Sequence, residues 1–139
     1  MFDEHESTAM EKNVQEFLKL KHFAVFGASD KHEAMGYKLV HRLARRGYKV
    51  YPINPRIAKI DGMRCFGTLD EIPTLPQVIV VSVAPEPALE VLKSGVSHGV
   101  RRFWIQPESE SDDVLTYVGE NGLIVVHSQC LFQELGKRS

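Results

Sequence analysis

The sequence has few cysteines, no long hydrophobic run and no excess of basic charge. Its two cysteines, Cys65 and Cys130, are too few for a disulfide scaffold and too far apart in the chain for a metal-ligand pair. No apolar run approaches the ~20 residues that a transmembrane helix needs, and the first residues lack the basic and apolar regions of a signal peptide. These absences predict a reduced, cytoplasmic protein that does not enter the membrane.

Acidic and basic residues are almost balanced. Seventeen Lys and Arg residues stand against eighteen Asp and Glu residues, which gives a formal net charge of -1. A broad nucleic-acid surface requires a basic excess, so nucleic acid is not expected as a partner, whereas a local cationic pocket is compatible with this balance. The length of 139 residues and the hydrophobic content of 43% are typical of one globular domain and exclude a disordered, collagenous or heptad-repeat chain.

Short hydrophobic strands alternate with amphipathic helices along most of the chain. Strands are predicted over 22–27, 49–53, 78–83, 102–105 and 123–126, and helices over 37–46, 85–97 and 109–120. Residues 64–66 are predicted as a short edge strand and residues 69–72 as one helical turn. This alternation implies right-handed crossovers. It predicts an α/β fold with one doubly wound, mainly parallel five-stranded sheet and helices on both faces, as in Rossmann-like domains.

An acidic, helical arm precedes this alternation. We expect residues 1–20 to form the arm, with its helix starting near Ser7 and Thr8, and residues 21–139 to form the Rossmann-like domain. The apolar stripe of the arm consists of Val14, Phe17, Leu18 and Leu20. Because such a stripe needs a partner surface, we expect the arm to pack on the sheet or to form a contact in a homodimer.

Ligands of doubly wound sheets bind beyond the carboxyl ends of the strands, where the strand order switches. Four segments follow predicted strands and should converge at that edge. They are residues 27–33, 52–56, 82–86 and 106–110.

The loop after the first strand is built from small residues. Gly27, Ala28 and Ser29 let backbone N–H groups approach a phosphate near a helix N-terminus, although an ordinary tight turn also fits this pattern. The dinucleotide fingerprint G-x-G-x-x-G is not met, because Ser29 and His32 occupy the second and third glycine positions. The second strand also ends without the acidic residue that holds an NAD ribose. A typical NAD dehydrogenase is therefore not expected, while Arg56 leaves NADP open.

An ordered set of short motifs extends over almost the whole predicted domain. The motifs are GAS at 27–29, RGYKVYPINP at 46–55, IDG at 60–62, TLDEIP at 68–73, FWIQ at 103–106 and GLIVV at 122–126, followed by Cys130. Together they resemble the stand-alone coenzyme A-binding domain family, which is similar to the nucleotide-binding domain of the succinyl-CoA synthetase alpha subunit. The resemblance implies a Rossmann-like fold that binds coenzyme A, or an acyl-CoA, at the carboxyl edge of the sheet.

The resemblance assigns the nucleotide end of the cofactor to the first two loops. Residues 27–29, with Lys31 nearby, would face the pyrophosphate. Asn54, Pro55 and Arg56 would lie beside the adenosine and its 3′-phosphate.

The other two loops would complete the pocket. Ser82, Val83 and Ala84 would lie under the adenine or the pantetheine, and Gln106 and Pro107 would close the far side. The family often has a Phe-Arg pair at 82–83 and usually a glycine shortly after Gln106, and this chain has neither. These departures imply weaker binding of coenzyme A or a changed ligand.

Candidate catalytic groups are sparse. His127 and Cys130 follow the last strand and are a conceivable nucleophile pair, but no orienting acid is evident. The leading hypothesis is therefore a non-catalytic protein that binds coenzyme A or an acyl-CoA as a carrier, a sensor or a subunit recruited by a partner. One alternative is a small enzyme that handles CoA thioesters or thiol redox chemistry through Cys130 and His127. Another alternative is a sensor that binds an NAD(P)-type nucleotide.

Overall fold

The computed structural model describes the backbone of residues 4–138 and the side chains of residues 9–138. The α-helices are α1 (Glu4–Leu18), α2 (Met35–Arg45), α3 (Pro85–Ser97), α4 (Asp112–Glu120) and α5 (Leu131–Gly136). The strands are β1 (His22–Phe26), β2 (Lys49–Ile53), β3 (Lys59–Ile60), β4 (Met63–Arg64), β5 (Val78–Val81), β6 (Arg102–Ile105) and β7 (Ile124–Val126). Single turns of 3-10 helix cover Leu69–Glu71 and Pro107–Ser109.

Five strands form one parallel sheet in the order β2-β1-β5-β6-β7. The chain moves outward from β1 to β2 on one side and then returns to β5 on the other side of β1. The strand order therefore switches between β1 and β5. Phe26 pairs with Ile53 on one side and Val81 on the other, so these three strands end at the same level. This arrangement confirms the predicted fold class.

Two apolar clusters cover the two faces of the sheet. Alternate residues of each strand point to opposite faces, so Phe23 and Val25 join one cluster and Ala24 joins the other. The first cluster includes buried residues of α1, α2 and α5, and the second includes buried residues of α3 and α4. The continuous apolar run of β5, buried at all four positions, reflects this coverage on both sides.

Helix α1 packs on the sheet, which is one of the two arrangements predicted for the arm. Val14 and Phe17 are buried, and the Phe17 ring meets the Trp104 ring edge-on with centroids 6.4 Å apart. The Asn13 side-chain amide donates a hydrogen bond to the Val125 carbonyl at 3.1 Å. The helix begins at Glu4, before the predicted start at residues 7 and 8.

Several predicted boundaries differ from the structure. Strand β5 ends at Val81 rather than at residue 83, and α4 begins at Asp112 because the Ser111 hydroxyl accepts a hydrogen bond from the Val114 N–H and caps the helix. Within the predicted edge strand at 64–66, Phe66 makes a single parallel bridge to Ile53. The β3–β4 hairpin and α5 were not predicted, because elements of two and six residues are too short to show a period. None of the described helices has the length and apolar character needed to cross a bilayer.

Candidate functional site

The loops that follow β1 and β5 touch at the switch point through Gly27. This residue has a φ of +93°, in the region that favours glycine. A Cβ atom at this position would lie 2.0 Å from the Ser82 carbonyl oxygen, far inside van der Waals contact. The Ser82 N–H in turn donates to the Phe26 carbonyl at 3.0 Å. Only glycine therefore allows the two loops to meet here.

A second glycine, Gly36, brings the first turn of α2 against the same loop. A Cβ atom on Gly36 would lie 1.8 Å from the Gly27 carbonyl oxygen and 3.1 Å from the Ala28 Cα. Gly36 was not among the predicted site residues, because the dinucleotide fingerprint places its glycines closer to the strand. A glycine in the first turn of an amphipathic helix was the available signal, since glycine weakens a helix unless a close approach requires it.

The start of α2 faces the edge of the sheet with its backbone N–H groups. Among the described residues, no side chain caps this helix at Ala34. The N-terminal turn of a helix carries free N–H donors and the positive end of the helix dipole, so it attracts an anion. The nearby Lys31 side chain is exposed, and its backbone N–H donates to the Ser29 hydroxyl at 3.0 Å, which orders the turn.

Asn54 joins the loops that follow β1 and β2. Its side-chain N–H donates to the Ala28 carbonyl at 2.8 Å, and its side-chain oxygen accepts from the Arg56 N–H at 2.9 Å. Ala28 is fully buried and belongs to the first apolar cluster, whereas Pro55 and Arg56 are exposed. The Asn54 amide therefore holds the backbone of both loops, and the Arg56 guanidinium is left at the surface beside the edge.

Ser109 joins the loops that follow β5 and β6. Ser109 is completely buried, and its hydroxyl oxygen accepts a hydrogen bond from the Val83 N–H at 3.0 Å. The single hydroxyl proton can be donated either to the Val81 carbonyl or to the Val83 carbonyl. Above it, the Ser82 hydroxyl donates to the Glu108 carboxylate at 2.8 Å. Ser109 was not among the predicted site residues, because no feature of the neighbouring sequence indicates that its side chain packs against another loop.

Gln106 lies inside the protein at the start of α5. Its side chain is fully buried, the oxygen accepts from the Leu131 N–H at 2.7 Å, and the N–H donates to the Cys130 sulfur at 3.3 Å. This residue, expected on the far side of the pocket, therefore holds the β6 loop to α5. Pro107 follows it at the surface as the first residue of a 3-10 turn.

His127 and Cys130 have different partners. The His127 Nδ1 atom lies 2.9 Å from the Ser128 hydroxyl, and Ser128 is bonded through its N–H and hydroxyl to the Glu110 carboxylate. The Cys130 thiol accepts the hydrogen bond from Gln106. Among the described residues, no hydrogen bond joins His127 to Cys130.

A cluster of aromatic and acidic side chains attaches the β3–β4 hairpin to α2. The Tyr37 hydroxyl donates to the Asp61 carboxylate at 2.6 Å, and the His41 Nε2 atom lies 3.0 Å from the same oxygen. The His32 ring stacks on Tyr37, with centroids 4.5 Å apart. The hydrogen bond from Tyr37 holds the pKa of Asp61 below its usual value and raises the pKa of Tyr37. Within residues 9–138, no group of three metal-ligating side chains is placed to hold a metal ion.

Comparison with known proteins identifies the family. The family model of the CoA binding domain matches residues 21–136. The chain belongs to this family. The match confirms the resemblance seen in the sequence and supports coenzyme A as the ligand of this CoA binding domain.

Relatives of the domain occur within longer ligases and as short chains. The chain is 29% identical over 104 residues to acetate–CoA ligase [ADP-forming] II of Archaeoglobus fulgidus, which is 73% of this chain but 15% of the ligase. The chain thus spans a small part of that relative. A conserved hypothetical protein from Pyrococcus furiosus has a similar structure, with a TM-score of 0.77 and 30% identity over 82% of this chain and 98% of that chain. A hypothetical protein from Pyrococcus horikoshii gives a TM-score of 0.83 at 26% identity, over 92% of this chain and 90% of that chain.

All four predicted loops of the CoA binding domain follow parallel strands and reach the same edge. The structure joins the loops after β1 and β2 through Asn54, the loops after β1 and β5 through Gly27, and the loops after β5 and β6 through Ser109. Lys31, Arg56 and Ala84 are exposed along this edge, whereas Ala28 and Gln106 are buried beneath it. At these two buried positions the Ala28 carbonyl accepts from Asn54, and the Gln106 side chain bonds to Leu131 and Cys130.

Proposed function

We propose that this CoA binding domain holds coenzyme A, or an acyl-CoA, across the switch point between β1 and β5. The pyrophosphate lies over residues 27–29 and the first turn of α2. The observation that carries this proposal is the packing of Gly36 on Gly27, where a Cβ would lie 1.8 Å from a carbonyl oxygen. This contact brings an uncapped helix N-terminus against a loop of small residues, and both present backbone N–H groups to an anion.

Two exposed basic residues support a position for the 3′-phosphate of CoA, the phosphate that is not part of the pyrophosphate. Lys31 and Arg56 extend from loops that Asn54 holds together, so both charges lie near the same part of the edge. A guanidinium binds phosphate through paired hydrogen bonds, so Arg56 would bind the 3′-phosphate, which the dephospho form of the cofactor lacks.

The proposed role is binding without catalysis. It is supported by the separate partners of the two candidate catalytic residues, His127 beside Ser128 and Cys130 beside Gln106. Burial raises the pKa of the other thiol, Cys65, which disfavours a thiolate nucleophile. The domain would then act in the cytoplasm as a carrier, a sensor or a subunit that a protein partner or a second copy recruits.

Calorimetric titration of ligand-free protein with CoA tests the proposal, with dephospho-CoA, NAD and NADPH as comparison ligands. We expect CoA to bind in the micromolar range, about -8 kcal/mol, and more tightly than the other three. Arg56→Ala should remove the preference for CoA over dephospho-CoA. Arg102→Ala is the matched control, because Arg102 is exposed at the beginning of β6, away from the carboxyl edge. Tighter binding of NADPH than of CoA, or no binding of CoA, would refute the proposal.

A further inference from the structure

Three arginines gather at the end of α2 that is remote from the proposed cofactor site. Arg42, Arg45 and Arg46, together with Gly136 of α5, line a surface cleft of about 430 Å³. Helix α2 ends here, just before β2 begins, so the cleft lies at the amino edge of the sheet. An 11-residue helix is about 16 Å long, and this length separates the cleft from the loop at 27–29.

Contacts with α5, and with Arg138 shortly after it, hold two of the three guanidinium groups in place. The Arg42 guanidinium lies 3.9 Å above the centroid of the Phe132 ring, and its Nη1 atom donates to the Phe132 carbonyl at 3.3 Å. Arg46 donates from Nη1 to the Arg138 carbonyl. A guanidinium has five N–H donors, so each of these hydrogen bonds leaves donors for a ligand in the cleft.

Gly136 leaves room beside α5 for the guanidinium of Arg42. A Cβ atom at this position would lie 2.9 Å from the Arg42 Nη1 atom, so a larger residue would push against the guanidinium. The absence of a side chain at Gly136 therefore lets the backbone of α5 lie close to the Arg42 guanidinium.

The positive charge of the cleft is not neutralised by the carboxylates that the structure describes. None of the three arginines forms an ion pair within residues 9–138, and Glu134 on α5 pairs with Lys137 at 2.9 Å and Arg138 at 3.5 Å instead. Basic residues at a helix C-terminus interact favourably with the helix dipole, which accounts for their presence in the last turn. The dipole does not account for the stacking of Arg42 or for the open space beside Gly136.

We propose that this cleft binds an oligophosphate group, from inorganic polyphosphate or from the phosphate chain of a nucleotide. Three neighbouring positive charges, two of them held by contacts, favour an anion of several charges, because a single carboxylate would leave most of the charge uncompensated. Guanidinium groups match phosphate oxygens with paired hydrogen bonds. The volume of the cleft falls within the range of small-ligand sites, about 300–1,000 Å³.

Titration with inorganic tripolyphosphate and with ATP tests this proposal, in the presence of excess CoA to occupy the carboxyl edge. Wild-type protein should bind tripolyphosphate, and the double variant Arg45→Gln with Arg46→Gln should bind it about tenfold more weakly or worse. Arg42 is left unchanged because its stacking on Phe132 joins α5 to α2. Arg102→Gln is the matched control and should bind like the wild type, because this exposed arginine lies at the start of β6.

The remaining comparisons distinguish a nucleotide from inorganic polyphosphate as the source of the anion, and the arginine cleft from the carboxyl edge as the binding site. ATP that binds more tightly than tripolyphosphate assigns a nucleotide, and equal affinity assigns the phosphate group alone. Gly136→Ala should weaken both ligands. Equal binding of tripolyphosphate by the wild type and the double variant would overturn the proposal, because the anion would then bind without the arginines of the cleft. The comparison between variants is valid even if CoA does not bind, so the two proposals fail separately.

Discussion

Replacing Gly36 with alanine tests the close approach on which the cofactor site depends. The added Cβ would lie 1.8 Å from the Gly27 carbonyl oxygen and 2.7 Å from the Gly27 carbonyl carbon, and both atoms belong to the backbone. No rotamer change can relieve this contact, so α2 and the loop must move apart. Forced backbone shifts in packed regions typically destabilise by about 1–3 kcal/mol.

The intrinsic helix preference of alanine opposes this effect. Alanine is favoured over glycine by about 1 kcal/mol in a helix interior and by less in the first turn. If the clash costs about 3 kcal/mol, the upper end of the range given above, and the helix preference returns about 1 kcal/mol, the free energy of unfolding falls by about 2 kcal/mol. With a urea m-value of about 2 kcal/mol/M, the unfolding midpoint should fall by about 1 M. Affinity for CoA should fall as well, because the loop at 27–29 moves.

Gly119→Ala is the matched control for this experiment. Gly119 lies in α4, and an added Cβ there would meet no atom within 4 Å. This variant should be more stable than the wild type by up to about 1 kcal/mol, with unchanged affinity for CoA. If Gly36→Ala also raises the urea midpoint at an unchanged m-value, the close approach is not what selects glycine at this position and the reasoning is wrong.

Further predictions concern a buried hydroxyl and a histidine. Ser109→Ala leaves the Val83 N–H unpaired and should lower the free energy of unfolding by about 1–3 kcal/mol, whereas Ser82→Ala, which removes an exposed hydrogen bond, should change it by about 0.5 kcal/mol or less. His98 contacts hydrogen-bond acceptors through both ring nitrogens, and the bond to the Asp70 carboxylate at 2.9 Å raises its pKa above 6.5. The protonated His98 therefore stabilises the folded protein. This stabilisation is fully present below the pKa that His98 has in the unfolded chain, and it is lost as the pH rises through the higher pKa of His98 in the folded protein. Asp70→Asn should lower the pKa of His98 measured by NMR titration. In urea, this variant should lose more unfolding free energy relative to the wild type at about pH 5.5 than at about pH 8.5. Equal losses at the two pH values would refute this link between the histidine charge and stability.

Much of the architecture follows from local patterns in the chain. The run at 78–81 contains only valine and isoleucine, which is typical of a central parallel strand with both faces covered. Once the strands are placed, their parallel direction brings four loops to one edge, and the switch point follows from the topology. Gly27 was also predictable, because a glycine directly after a buried strand is a common turn signal.

The contacts between loops were not predictable from local patterns. Gly36 is required because the Gly27 carbonyl lies where its Cβ would be. Ser109 joins two loops because its hydroxyl accepts a hydrogen bond from the Val83 N–H. Both partners are distant in sequence or lie on another element. Gln106 follows a strand like the other predicted site residues, yet α5, an element too short to recognise, covers it. A residue type indicates which bonds a side chain can make, but packing decides which of those bonds are already used.

The most direct test of the central claim is to map the backbone amide shifts that CoA causes in the NMR spectrum of the labelled protein. If CoA binds across the switch point, the largest shifts should fall on the amides of residues 27–36, 82–84, Asn54 and Arg56. The amides of α2 near Arg45 should move little. Shifts concentrated at that end of α2, or along β7 at the edge of the sheet, would contradict binding at the switch point.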